Sequence, residues 1–265
     1  MSHELARSAR ISALTMCSRA GAAHIASSLS SIDILAVLYG GVARVDPDEP
    51  DWAGRDIVLM SKGHAAAGLY AVLGNAGFLP AEWLDEYCQD GSILGGHVTA
   101  TGIPGVELST GSLGHALPVG VGMALGHRLD RGSQRVYVVL SDGECDEGSN
   151  WESALLAGHL GLDRLTVIVD RNGLQSLTTT EQTVRLEPLA DKWRAFGWRV
   201  SEVDGHDHEA LDTALRKEGD RPHAVIARTI KGRGVDFMEN TVLWHYRPPS
   251  AEQLADAIDQ VRRMP

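Results

Sequence analysis

Cysteine is scarce in this chain, and the scarcity excludes two architectures. Cys17, Cys88 and Cys145 are the three thiols among 265 residues. They are odd in number and far apart, which fits neither a disulfide framework nor a closed zinc site and makes a reducing cytoplasm the expected location. Aromatic side chains are few, at 5%, so the core has to be built from Ala, Val, Leu and Ile. Basic runs are missing as well. The 24 Lys and Arg stand against 35 Asp and Glu, for a formal net charge of -11. With no stripe of cations along the chain, nucleic acid is excluded as an expected partner. The N-terminal stretch carries Glu4 and Arg10 and holds no apolar run of the kind a secretory signal or membrane span requires, so a soluble, cytoplasmic chain is expected.

What is present is ordinary globular composition, with 43% hydrophobic and 22% charged residues. The length suits one large α/β domain or two small ones. The 29 glycines imply many tight turns or close backbone approaches. Leu5, Ala9, Ala13 and Met16 share one face of a first helix that Arg19-Ala20-Gly21 ends. Ser31 is read as the N-cap of a second helix over Ile32 to Tyr39, with Asp33 in its first turn and Gly40-Gly41 as its stop. A polar loop from Val45 to Arg55 leads into a buried strand at Asp56 to Met60. Helices over His64–Ala76, Ala81–Tyr87 and His115–Leu129 follow, with a glycine-rich segment from Gly91 to Gly114 between the last two. Strands at Arg135–Leu140, Leu165–Asp170, Trp198–Val203 and Ala224–Thr229 then alternate with helices at Asn150–Leu160, Leu186–Phe196 and His208–Glu218. A last helix spans Ala251–Arg263. Runs such as Val136-Tyr137-Val138-Val139-Leu140 are apolar on both faces, as in a parallel sheet covered by helices on each side. The expectation is a single α/β domain over residues 1–265, with a doubly wound, mainly parallel sheet.

In such a sheet ligands bind beyond the carboxyl ends of the strands. Ser141-Asp142-Gly143-Glu144 and Asp170-Arg171-Asn172-Gly173-Leu174 occupy two of those positions, thirty residues apart. An aspartate carboxylate, an amide oxygen and a backbone carbonyl are hard donors suited to Mg²⁺ or Ca²⁺, and Gly143 permits close approach of a phosphate. Either segment alone is a common turn; the pair across one strand-helix-strand unit is more specific. It resembles the thiamin diphosphate signature, although Ser141 stands where that signature has Gly and Arg171 where it has Asn or Asp.

From His24 to His245 the chain resembles the transketolase family. The carrying motifs are His24, nine residues before Asp33; Ser61-Lys62-Gly63-His64; Gly96-His97; Thr110-Gly111-Ser112-Leu113-Gly114-His115; and Thr229-Ile230-Lys231-Gly232 followed by Trp244-His245. The resemblance implies thiamin diphosphate as cofactor with Mg²⁺ (or Ca²⁺) held by Asp142, Asn172 and the Leu174 carbonyl. It implies His64, His245, Gly143, Glu144 and Asn172 around the diphosphate, and Gly111 and Leu113 against the aminopyrimidine. His24, His97 and His245 would act on substrate, with His24 and His245 at the developing alkoxide. Glu147 matches a family glutamate that joins two active sites at a dimer interface. His115 stands where many relatives carry Gln. His127, His159, His206, His208 and His223 carry no motif and are read as structural, and Cys145 as a packing residue.

A complete transketolase also has pyrimidine-binding and C-terminal domains, and no segment here is left to supply them. The implied protein is the N-terminal subunit of a two-chain transketolase, inactive unless a C-terminal subunit joins it, with two copies of each chain in the assembly. It would transfer a two-carbon ketol unit from a ketose, such as a sugar phosphate, to an aldehyde. The alternatives are the α subunit of a 2-oxo-acid dehydrogenase-type enzyme and a catalytically silent regulatory homologue. A Mg²⁺-dependent phosphohydrolase would need a nucleophilic aspartate on an early strand, which Ile57 to Met60 does not offer.

Overall fold

A computed structural model of the chain describes residues 1–264. The elements, in chain order, are α1 (Ser2–Ala20), α2 (Ile25–Val37), β1 (Ile57–Met60), α3 (Ala66–Asn75), α4 (Ala81–Asp85), α5 (Ala116–Leu129), β2 (Val136–Ser141), α6 (Gly148–Leu160), β3 (Leu165–Arg171), α7 (Thr180–Thr183), α8 (Leu189–Ala195), β4 (Arg199–Asp204), α9 (His208–Arg216), β5 (His223–Arg228) and α10 (Ala251–Arg262). The five strands form one sheet in the order β1-β2-β3-β5-β4, and every pairing is parallel.

Successive residues of each strand feed two different cores, as a period of two requires. Val58, Met60, Tyr137, Val139, Ile168, Val225 and Ala227 pack with α1, α2, α3 and α9. Ile57, Leu59, Val136, Val138, Leu140, Val167, Val169 and Ile226 pack with α5, α6 and α8. Covering on both sides explains why β1, β2 and β3 read as unbroken apolar runs in sequence. The edge strand β4 is only partly buried.

Helix α1 ends where expected, at Gly21 in the left-handed region (φ 63°), whose N–H caps the Cys17 and Ser18 carbonyls. Helix α2 departs from expectation. It starts at Ile25 with His24 as its N-cap, so Ser31 and Asp33 lie in its interior, and it runs into a π-helical turn at Leu38–Val42. The reason is burial all round. Every residue of α2 is buried between α1, α3 and α9, so there is no polar face to mark its length. The serines that resemble caps instead turn inward, Ser30 Oγ donating to the Ser27 carbonyl (3.0 Å) and Ser31 Oγ to that of Ser28 (3.1 Å). Ile25–Val42 also corrects the expectation that no early run is apolar enough to span a membrane, for its mean hydropathy is 1.6 over 18 residues; here 83% of that stretch is buried as the core helix of the molecule. The short helix α7 is not among the elements expected from the sequence; the other elements match to within a few residues, and the glycine-rich segment has no regular secondary structure.

Candidate active site

The loops after β1, β2, β3 and β5 converge on one cleft of about 240 Å³, lined by His24, Ser27, Lys62, His64, His97, Gly111, Leu113, Ser141, Asp142, Gly143, Glu144, Asn172, Leu174, Gln175, Ser176, Lys231, His245 and Tyr246. Of the residues expected there, only Glu147 is missing from its walls. Glu147 caps the start of α6 on the exposed surface, with no side-chain cap hydrogen bond.

Backbone contacts bring the segments together. Gly63 lies so close to Thr110 that a Cβ there would sit 2.5 Å from the Thr110 carbonyl oxygen, so this crossing tolerates only glycine. The Val98 N–H donates to the Gly63 carbonyl (3.1 Å) and the Thr110 N–H to that of Val98 (3.0 Å). That pairing hangs His97, Gly111 and Leu113 from the loop that carries His64. His24 has φ 71°, a left-handed conformation unfavourable for a residue with a Cβ, and its N–H donates to the His245 carbonyl (2.9 Å). Strained backbone of this kind concentrates at functional sites.

Four histidines spread over 222 positions thus become neighbours. The His24 ring lies 5.4 Å from that of His64, 5.7 Å from His97 and 5.0 Å from His245. Burial, reinforced by adjacent His97 and Lys231, lowers the His24 pKa to about 4. Burial and then Lys231 lower His245 to about 3. His64 is held well below its ordinary value by burial and Lys62. At neutral pH these three imidazoles are uncharged, able to donate and accept hydrogen bonds to hydroxyl and carbonyl groups.

Two lysines missed in the sequence complete the electrostatics. Lys62 is fully buried and donates to Asp170, to the Ser27 carbonyl (2.9 Å) and to Ser30 Oγ (3.4 Å). Asp170 is opposed by burial, yet Lys62, Ser30 and Thr229 together hold its carboxyl below the usual range. Lys231 donates to the carbonyls of Leu174 (3.1 Å) and Gln175 (3.2 Å) and meets His245 Nδ1 at 3.0 Å. Burial and Lys62 lower it to about 8. Composition offered a signal: the chain has only four lysines, and these two follow buried strands directly. Ser27, Gln175, Ser176 and Tyr246 gave none.

Asp142 is buried, and burial and then Asp170 raise its pKa. Its Oδ1 accepts from Gly143 N (2.8 Å), its Oδ2 from Gly173 N (2.6 Å) and Arg171 Nη1 (3.1 Å). Asn172 Oδ1 accepts from Leu174 N (3.1 Å). Among the described residues no three His, Cys, Asp or Glu side chains cluster as a metal cage. One carboxylate, one amide oxygen and one carbonyl nevertheless fit a hard divalent ion that draws its remaining oxygens from a phosphate ligand and water. Glu144 lines the same cleft and also braces it. Its carboxylate accepts from Ser61 Oγ, Gly114 N (2.8 Å) and Ser141 N (3.1 Å), tying three cleft loops together. His115 lies outside the cleft, its Nδ1 on the Leu113 carbonyl (2.9 Å).

The family model for the thiamine diphosphate binding domain of transketolase matches residues 1–263. The chain belongs to the transketolase family. Among transketolase relatives, an apulose-4-phosphate transketolase subunit from Phocaeicola vulgatus is 42% identical over 92% of this chain and 87% of its own length. The 6-deoxy-6-sulfo-D-fructose transketolase subunit SqwG of a Clostridium species is 38% identical over 92% of this chain and 90% of that protein. The transketolase crystal structure from Campylobacter jejuni superimposes with a TM-score of 0.91 at 29% identity, covering 98% of this chain and 42% of that one. This transketolase chain thus corresponds to less than half of the longer enzyme and to nearly all of the two relatives named as subunits.

Proposed function

We propose that the chain is the diphosphate-binding subunit of a two-chain transketolase, which moves a two-carbon ketol unit from a ketose donor to an aldehyde acceptor when a second subunit supplies the pyrimidine-binding and C-terminal domains. The observation that carries this reading is the convergence, on one cleft, of uncharged imidazoles, buried ammonium groups and hard oxygen donors. The subunit designation of the relatives covered almost end to end supports the division into two chains. We infer that the assembly has two copies of each.

Bound thiamin diphosphate supplies a nucleophilic carbon that carries the two-carbon unit between donor and acceptor. Asp142, Asn172 and the Leu174 carbonyl hold the divalent cation, Mg²⁺ or Ca²⁺, and with it the diphosphate. Lys231 and His64 balance and orient that diphosphate, and Gly143 lets it approach the backbone. Gly111 and Leu113, both on the cleft wall, would hold the pyrimidine end of the cofactor. His24 and His245, neutral and 5.0 Å apart between ring centres, would supply the proton that turns the donor's carbonyl oxygen into a hydroxyl. His97, at the exposed end of the cleft, binds donor hydroxyls.

The partner's place follows from the exposed surface. Leu155 and Leu156 stand 58% and 48% exposed on α6, the helix that Glu147 begins, and α6 packs on α5, where Gly122 and Gly126 face open space. The exposed apolar face of this helix pair is the surface we assign to the second subunit.

A tagged form of the chain, isolated with its partner, is expected to cleave a ketose phosphate only when thiamin diphosphate and Mg²⁺ are added. Asp142→Ala is expected to abolish the rise in melting temperature that cofactor and Mg²⁺ give that assembly. An unchanged rise would overturn the metal assignment. Turnover by the chain without any partner would overturn the two-chain reading.

A further inference from the structure

Arg171 occupies the position next to Asn172 at the end of β3, and its side chain is only 9% exposed. A guanidinium has five N–H donors, and here each has an acceptor. Nε donates to Glu187 Oε1 (3.3 Å); Nη1 to Asp142 Oδ2 (3.1 Å) and Thr180 Oγ1 (2.6 Å); Nη2 to Glu181 Oε1 (2.9 Å) and Glu187 Oε1 (3.2 Å). The group is therefore fixed in place. It joins the carboxylate on the loop after β2 to α7 and to the residue before Pro188, bracketing the segment 172–187 from which Asn172, Leu174, Gln175 and Ser176 face the cleft.

The two oxygens of Asp142 are left unequal. Oδ2 accepts from both Gly173 N and Arg171 Nη1, which uses its two lone-pair directions. Oδ1 accepts only from Gly143 N and keeps one direction open. Ca²⁺ commonly takes a carboxylate through both oxygens, whereas Mg²⁺ takes one oxygen and completes a tight octahedron with water and phosphate.

We propose that Arg171 is a positioning residue that presents Asp142 to the divalent cation through a single oxygen, biasing the site toward Mg²⁺ over Ca²⁺ and coupling cation binding to the order of segment 172–187. This rests on the metal reading above. The fixed positive charge also weakens the site for any free cation, so the ion arrives with the diphosphate.

The test uses the assembly of this chain with its partner subunit, wild type and with Arg171→Gln or Arg171→Lys, titrated by calorimetry with Mg²⁺ and separately with Ca²⁺ in the presence of thiamin diphosphate. The wild-type assembly is expected to half-saturate with Mg²⁺ at a lower concentration than with Ca²⁺. Arg171→Gln, which opens one of the two directions on Oδ2 while Gly173 N keeps the other, is expected to shift the ratio of the two about tenfold toward Ca²⁺, the lower end of what outer partners of ligating carboxylates control. Arg171→Lys keeps the charge without the fork and is expected to fall between. Hydrogen exchange of segment 172–187 is expected to slow on cation binding in the wild type and to respond less in the Gln variant. If all three proteins bind both cations with the same ratio, the role of Arg171 is overturned while the metal reading stands. Tighter wild-type binding of Ca²⁺ than of Mg²⁺ overturns it without recourse to a variant. Absence of any cation-dependent cofactor binding overturns both.

Discussion

The proton exchange proposed for His24 and His245 needs imidazoles that are not permanently charged, and the packing of this cleft provides them. His24 and His245 titrate at about 4 and about 3, against roughly 6.5 in an unfolded chain. The native state therefore binds fewer protons than the unfolded one between those values, and stability is lost as pH falls from about 6.5 through the folded pKa values. Urea midpoints measured across that window are expected to fall, and His245→Asn to flatten the slope. For catalysis, His24→Ala is expected to lower kcat by roughly 10²- to 10⁴-fold, the usual worth of a general acid or base, while cofactor affinity stays near wild type. A large loss of affinity with normal turnover would assign His24 to binding instead. Lys231 gives the opposite limb. Its ammonium, titrating at about 8, is charged below that pH and neutral above, so affinity for the anionic cofactor is expected to decline as pH rises past 8. Lys231→Arg should remove that decline; a decline that persists would place its origin elsewhere. The histidines were legible in sequence because each sits in a short motif whose order matches a family. The two lysines sit in two of the same motifs, but their part was not legible, because the cause of their chemistry is burial, and burial of a charge is created by tertiary contact.

At the scale of elements, α2 shows what a sequence pattern can and cannot mark. Helices with one wet face were found within a few residues, since a polar face records the period. A helix buried all round leaves no such record, and its serines read as a cap because a hydroxyl bonding back to its own helix looks the same in sequence as one bonding forward. What fixes α2 is Asp33, which accepts from Arg10 Nη1 (2.9 Å) and Nη2 (2.5 Å), His206 Nδ1 (2.6 Å) and His208 Nε2 (3.0 Å). Burial opposes its charge, but Arg10 and the two histidines hold its pKa well below the usual carboxylate range. His206 and His208, read as structural, thus tie α9 and the loop before it to α2. The tie continues toward the cleft, because His206 Nε2 accepts from Ile230 N (2.8 Å), the residue before Lys231. Asp33→Asn leaves Arg10 uncompensated in the interior and is expected to cost about 3–5 kcal/mol. By contrast, Ser250→Ala, which breaks the capping box of α10, should cost about 1 kcal/mol. Denaturant midpoints rank the two, and equal losses would show that the Asp33 cluster is not a structural anchor.

Over the whole molecule, the sheet brings the carboxyl ends of β1, β2, β3 and β5 to one side, and everything the chemistry needs from this chain meets there. The glycine-rich segment, without regular structure, is held across that end by Gly63 and Thr110. The cleft is nevertheless open, with His97 exposed and Tyr246 58% exposed at its mouth. An open site of this kind does not exclude water, and exclusion of water is what makes fixed hydrogen-bond donors effective at a developing charge. On the two-chain reading proposed above, the missing wall comes from the second subunit, and the exposed leucines of α6 are the surface assigned to hold that subunit. Leu155→Glu places a charge at that surface without touching either core, since the side chain already faces solvent. The isolated chain carrying it is expected to keep the wild-type melting temperature within a degree or two, as surface changes do, yet to fail to retain the partner in co-purification and to yield no turnover. Sedimentation of the mixed subunits measures the same loss directly. If Leu155→Glu chain still assembles and turns over at the wild-type rate, the partner docks on another face, and the exposed end of the cleft around His97 and Tyr246 becomes the surface to alter next.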